Sequence, residues 1–262
     1  MPRFAANLSM LFTEVEFEDR FERAAAAGFA GVEYLFPYPY PADTLRKLLD
    51  RHKLEQVLFN LPAGDWAAGE RGIACLPERR TEFRDGVEQA IHYAEVLGCP
   101  RANCLAGIRP QELAPEAAWQ TLVENVGWAA ERFRRAGLTL CVEAINSRVD
   151  MPGFVLDSSL RAMDLLESVA ADNVRFQYDL YHMQIMEGDL IRTLERLLPM
   201  IGHIQFADNP GRHEPGTGEI NFDRVFEAID RLGYPGWVSA EYHPAATTDA
   251  GLGWLAGHVA RR

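Results

Sequence analysis

Residues 174–179 read VRFQYD, and three later or earlier stretches share their pattern: LTLCVE at 138–143, HIQF at 203–206 and WVSAE at 237–241. Each alternates an apolar side chain with a polar or smaller one, the two-residue period of a strand whose faces meet different neighbours. Working outward, short apolar runs recur at 4–8, 32–35, 55–59, 101–104, 138–143, 174–179, 201–206 and 236–241, with amphipathic stretches between them. In EFRDGVEQAIHYAEVLG (82–98), Phe83, Val87, Ala90, Ile91, Ala94 and Leu97 follow helical spacing and Gly98 stands where a C-terminal cap belongs. FEDRFERAAAAG (17–28) repeats the pattern with Gly28 as its stop, and LDSSLRAMDLLESV (156–169) offers Asp157 or Ser158 as an N-cap. Strands alternating with helices imply parallel pairing through right-handed crossovers. Eight such units in 262 residues predict a closed (β/α)8 TIM barrel, a single domain spanning 1–262. No G-x-G-x-x-G follows the first strand, which argues against a dinucleotide-binding open sheet.

Composition narrows the partners. A formal net charge of −12 opposes binding to nucleic acid or to an anionic membrane, both of which call for a basic face. Four cysteines (Cys75, Cys99, Cys104 and Cys141) form no C-x-x-C pair and fit a reducing compartment. The start of the chain, MPRFAANLSMLF, has neither the charge nor the apolar core of a signal peptide, so a cytoplasmic protein is expected. The same reading admits a homo-oligomer. One long irregular stretch, NLPAGDWAAGERGIACLPER (60–79), follows the third strand and reads as a functional loop.

Strand parity selects the candidate site. With Leu140, Val142, Val174, Phe176, Tyr178, Ile204, Phe206, Val238 and Ala240 facing the helices, the inward set is Thr139, Cys141, Glu143, Arg175, Gln177, Asp179, His203, Gln205, Trp237, Ser239 and Glu241. Each of these four strands therefore ends its inward set on an oxygen donor: Glu143, Asp179, Gln205 or Glu241. One carboxylate at a strand end is an ordinary loop residue. Four donors of matching parity on consecutive strands converge on the C-terminal mouth, where barrel enzymes carry their chemistry. Three inward carboxylates repel unless a cation or protons compensate them. An all-oxygen set suits Mg²⁺ or Mn²⁺ better than Zn²⁺, which prefers nitrogen and sulfur.

Longer phrases add a resemblance. NLSMLFTEVEF (7–17), VLFNLPAGDWAAGERGIACLP (57–77), VEAINSRVDMPGF (142–154), FQYDLYHMQ (176–184) and HIQFADNPGRHEPGTGEINF (203–222) resemble the hydroxypyruvate isomerase family of xylose-isomerase-like barrels. The resemblance covers nearly the whole chain. It implies a (β/α)8 fold, a divalent metal, and interconversion of hydroxypyruvate with 2-hydroxy-3-oxopropanoate. The family's paired catalytic glutamates fall on Glu143 and Glu241, and its remaining metal positions on Asp179 and Gln205. Ala144 departs from the family pattern, which often has proline after the first glutamate.

Such an isomerisation moves a proton between adjacent carbons through a cis-enediolate. It calls for a base beside the carbon and positive charge beside the oxygens. His182, three residues past Asp179, is a candidate substrate contact. Arg212, in the loop after the seventh strand, is a candidate clamp for a substrate carboxylate. Arg71 and Trp66 in the long third loop are candidate lid residues. EPGTGE (214–219) lacks the lysine of a phosphate-binding P-loop and reads as turn glycines. The expected partner is thus a small hydroxy- or oxo-acid. A 2-oxo-tetronate isomerase or a ketose 3-epimerase would use the same scaffold. A metal-dependent endonuclease would need a basic face, and a non-catalytic sensor would have no use for both glutamates.

Overall fold

The computed structural model describes residues 2–259. Eight parallel strands form one sheet: β1 (Arg3–Asn7), β2 (Gly31–Glu33), β3 (Glu55–Leu58), β4 (Arg101–Cys104), β5 (Thr139–Glu143), β6 (Val174–Asp179), β7 (Ile201–Phe206) and β8 (Trp237–Ala240). Their order, β3-β2-β1-β8-β7-β6-β5-β4, is that of a barrel opened between β3 and β4. Backbone bonds just past β3 close the gap: Asn103 N donates to Phe59 O and Leu61 N to Asn103 O, each at 2.8 Å. The expected strands are all present; those at 101–104, 174–179 and 201–206 have the expected bounds, and the ends of the others differ by at most two residues.

The helices are α1 (Arg20–Ala26), α2 (Ala42–His52), α3 (Arg80–Leu97), α4 (Pro115–Arg135), α5 (Ser159–Val169), α6 (Leu180–Met186), α7 (Leu190–Leu197), α8 (Phe222–Arg231), α9 (Thr248–Gly251) and α10 (Gly253–Val259). Gly98 ends α3 in the left-handed conformation, φ 67°. Ser158, not Asp157, caps α5 by accepting the Arg161 amide, while the Asp157 carboxylate accepts from Ser147. No described helix is long and apolar enough to cross a membrane.

The buried apolar residues divide into two cores. Leu140, Val142, Val174, Phe176, Tyr178, Ile204, Phe206, Val238 and Ala240 lie in the large core between sheet and helices. Ala5, Val57, Leu58, Cys141 and Trp237 form a small separate core inside the barrel. A Cβ on Gly31 would sit 2.9 Å from both Trp237 and Val57, so a glycine there lets the indole fill the floor. Arg3 stacks over that indole at 3.9 Å. Above this apolar floor, the inward residues at the C-terminal strand ends are polar: Asn103, Glu143, Asp179, Gln205 and Glu241.

Candidate active site

Glu143 ends β5, Asp179 ends β6, Gln205 lies in β7 and Glu241 is the first residue past β8. The Glu241 amide still bonds Phe206 O at 3.0 Å, so the ladder continues through it. All four are buried. Asp179 and Gln205 are register partners across β6 and β7, and Glu143 pairs in register with Gln177.

Each carboxylate is held by at least one hydrogen bond. Glu143 Oε2 accepts from Asn103 Nδ2 at 2.9 Å. Asp179 Oδ1 caps α6, accepting the amides of Tyr181 at 2.7 Å and His182 at 3.1 Å. Its Oδ2 is buried and has no hydrogen-bond partner among the described residues. A buried carboxylate oxygen left unpaired is costly unless a cation or a proton meets it. Glu241 Oε1 accepts from Asn7 Nδ2 at 3.0 Å and Gln205 Nε2 at 3.2 Å, and its Oε2 accepts from Arg212 Nη2 at 2.8 Å.

Crowding of these acids shows in their protonation. Burial, with Glu241 and Asp179 alongside, pushes Glu143 well above the carboxylate range. Burial raises Asp179 as well, against the pull of Arg212. Glu241 is raised to about 8, chiefly by burial and despite Arg212. The protein alone thus underprovides positive charge here. That deficit, the unpaired Asp179 oxygen and the all-carboxylate chemistry together fit a divalent cation. Glu143, Asp179 and His182 each place one ligand-type atom within 4.8 Å of the others.

Gln205 is turned differently from the expectation of an oxygen donor. Its Nε2 donates to Glu33 Oε1 at 2.7 Å as well as to Glu241, and its Oε1 accepts from Gln177 Nε2 at 2.5 Å. With the Glu33 and Glu241 carboxylates on that side, the amide nitrogen is the end that is attracted. His182 is buried, with Nε2 3.9 Å from both Glu143 Oε1 and Asp179 Oδ2. Burial, then Arg212, drives its pKa well below the ordinary imidazole value, so the ring is neutral.

Arg212 reaches the acids from the β7 loop through a left-handed backbone, φ 57°, which costs about 1–2 kcal/mol for a residue with a Cβ. The loop around it is organised by Asp208. This fully buried carboxylate accepts the amides of Asn209, Gly216, Gly218 and Ile220 at 2.9–3.1 Å. The glycines of EPGTGE therefore serve that ring of bonds. Arg71 and Trp66 come together with each other: the guanidinium lies 4.1 Å from the indole centre and donates to Trp66 O at 3.0 Å. The indole also meets Phe36 edge-on at 5.1 Å. This unit belongs to the β3 loop and, among the described residues, makes no hydrogen bond with Glu143, Asp179, Gln205 or Glu241.

Sequence reasoning passed over a supporting layer: Asn7, Glu33, Asn103 and Asn146. Glu33 Oε1 accepts from Asn7 Nδ2 at 3.0 Å, and its Oε2 lies 2.7 Å from His203 Nε2. Burial works to raise the Glu33 carboxyl, but His203, Gln205 and Ser239 hold it below its ordinary value. Parity applied to the first four strands would have found Asn7, Glu33 and Asn103, each an inward polar residue near a strand end. Asn146 lies in a loop, where no period exists to reveal it.

Residues 21–258 match the family described as xylose isomerase-like TIM barrel. The chain belongs to that family. Among the xylose isomerase-like barrels it is 52% identical to a hydroxypyruvate isomerase from Escherichia coli (strain K12), over 97% of this chain and 98% of the relative. It is 48% identical to a 2-oxo-tetronate isomerase from Cupriavidus necator, over the full length of both. A crystal structure described as AP endonuclease, family 2, from Brucella melitensis superposes with a TM-score of 0.95 at 47% identity, covering 98% of this chain and 99% of that one.

Proposed function

We propose that the chain is an isomerase interconverting hydroxypyruvate and 2-hydroxy-3-oxopropanoate. The observation that carries this reading is the pair Glu143 and Glu241, buried on strands separated by β6 and β7 and facing one mouth, in a chain 52% identical to a hydroxypyruvate isomerase. A divalent cation, Mg²⁺ or Mn²⁺, would be held by Glu143, Asp179 and Glu241, joined by Gln205 through its oxygen once the amide turns over. Such a cation supplies positive charge beside the substrate's carbonyl and hydroxyl oxygens.

The chain's own groups account for the proton. One glutamate removes a proton from the hydroxymethyl carbon, and the electron pair moves to form an enediolate. A proton returned to the neighbouring carbon, from the same glutamate or its partner, completes the aldehyde, while the hydroxyl proton passes from one oxygen to the other. Both carboxyls face the same gap from opposite sides of β6 and β7, the placement a base and its partner on adjacent carbons would need. Arg212 offers a planar fork to the substrate carboxylate. The neutral ring of His182 faces the same gap. The Trp66–Arg71 unit would cover the mouth and exclude water.

The identity to a 2-oxo-tetronate isomerase over both full chains supports a second reading, in which the acid has four carbons. A formal charge of −12 supports a small-molecule substrate over nucleic acid. An NMR-followed panel of hydroxypyruvate, a 2-oxo-tetronate and free ketoses, each with Mg²⁺ and after chelation, tests these readings together. Conversion of hydroxypyruvate at the highest kcat/KM is expected. Faster turnover of the four-carbon acid would transfer the assignment to it, and turnover of ketoses alone would replace both.

A further inference from the structure

Asn146 lies three residues beyond Glu143 in the loop leaving β5, and it is fully buried. Its Oδ1 accepts the backbone amides of Val149 at 3.0 Å and Asp150 at 2.9 Å. A backbone amide only donates, so these two bonds fix which end of the side chain is oxygen. The other end is the NH₂ group. One of its protons goes to Asp150 Oδ2 at 2.6 Å, and the second faces His182 Nδ1 at 2.7 Å. All four hydrogen-bonding positions of Asn146 are thereby used.

A donor at that distance requires Nδ1 to be the bare, accepting nitrogen of the ring. A neutral imidazole with a bare Nδ1 carries its proton on Nε2. That Nε2 lies 3.9 Å from Glu143 Oε1 and from Asp179 Oδ2, beyond direct hydrogen bonding to either. The N–H therefore points into the space between the two acids. Asp150 is held by Asn146, so its carboxylate, 3.7 Å from Nδ1, does not draw a proton to that nitrogen. A doubly protonated ring would set N–H against N–H at Nδ1, which Asn146 opposes.

We infer that Asn146 is a positioning residue that locks His182 in the Nε2–H tautomer, making the ring a neutral hydrogen-bond donor to a substrate oxygen and not a ligand of the cation. A nitrogen that bears a proton has no lone pair to give a metal. Of the three groups that converge within 4.8 Å, only Glu143 and Asp179 then offer one. A neutral donor suits an oxygen that gains charge during the reaction, because it stabilises that charge without competing for the proton beforehand. The identity of the oxygen rests on the isomerase reading; the tautomer does not.

The test reads the tautomer directly. Full-length protein labelled with ¹⁵N-histidine is examined by long-range ¹H–¹⁵N correlation, first without substrate and then with Mg²⁺. The His182 ring is assigned by its loss in His182→Gln. Expected is a pyridine-like Nδ1 and a pyrrole-like Nε2, unchanged by Mg²⁺. Asn146→Asp puts an acceptor oxygen opposite Nδ1 and should bring a proton to that nitrogen. Its kcat should fall by about 10²–10³-fold, the cost of losing one oriented donor, with KM changed less. In a His182→Gln background the same substitution should add little, since the two act as a unit. An Nδ1–H ring in the unmodified protein, or loss of the Nε2 proton on adding Mg²⁺, would overturn the inference whether or not the variant folds. An Nε2–H ring in a protein that isomerises no hydroxy-oxo acid would support the tautomer assignment and overturn the functional reading.

Discussion

Arg212 Nη2 lies 2.8 Å from Glu241 Oε2, with Arg212 keeping 16% of its side chain exposed and Glu241 5%. The guanidinium thus faces a catalytic candidate on one side and the mouth on the other, and stacks at 5.1 Å over the Tyr181 ring. Arg212→Lys keeps the charge but loses the planar fork, so KM for hydroxypyruvate should rise about tenfold or more. Arg212→Ala also removes the cation that holds Glu241 down, and the ascending limb of the pH–rate profile should move to higher pH. Steady-state kinetics across pH check both. Unchanged KM in the two variants would take Arg212 out of substrate recognition.

Glu143→Gln and Glu241→Gln should each lower kcat by ~10²–10⁴, the usual contribution of a positioned acid or base. Glutamine preserves size, so circular dichroism should match the unaltered protein. In D₂O the unaltered enzyme should place deuterium on the carbon that gains the proton, unless one shielded carboxylate makes both transfers. Near-normal kcat in both variants would place the base elsewhere.

Stability without metal should fall as pH rises. Glu143, Asp179 and Glu241 have folded-state pKa values above their ordinary ones, so the folded chain holds more protons than the unfolded one. Their protonated forms support folding fully below the unfolded carboxylate range, and that support is lost as pH climbs through the raised values, toward about 8 for Glu241. Chelated protein should therefore show a lower Tm at pH 8.5 than at pH 6, by an amount that these three sites would dominate. A bound cation replaces those protons, so stabilisation by Mn²⁺ should grow with pH over the same window. A metal-induced rise in Tm that did not change with pH would argue against these acids as the ligands.

Asp208 governs the loop that carries Arg212. Asp208→Asn leaves one oxygen to serve amides that two oxygens now serve, Asn209 and Ile220 on one, Gly216 and Gly218 on the other. The substitution should cost about 2–4 kcal/mol of stability, measured by denaturant titration. KM should rise in the same direction as in Arg212→Lys, because the left-handed backbone of Arg212 is held by its bond to Asp208 O at 3.1 Å. A stability loss with unchanged KM would separate the loop's folding from substrate binding.

Much of this was legible from period alone. In a strand, the side chains of residues two apart share a face whatever the rest of the chain does. Glu143, Asp179, Gln205 and Glu241 therefore fell on one face as soon as Val142, Phe176, Ile204 and Ala240 were assigned to the other. The barrel followed from eight such strands alternating with helices, and net charge argued against a nucleic-acid partner. The same two-residue period in β1, β2 and β4 places Asn7, Glu33 and Asn103 on the inward face as well.

Tertiary structure alone decided what each of those side chains touches. The orientation of the Gln205 amide depends on Glu33 and Gln177, which lie on other strands. The tautomer of His182 depends on Asn146, 36 residues earlier in a loop without periodicity. The pairing of Arg212 with Glu241 depends on a loop shaped by Asp208. Periodicity is a property of the local backbone and survives in the one-dimensional text. Hydrogen-bond direction and protonation depend on which atoms meet across the barrel and on how much water has been removed, and both are set only when all eight strands close.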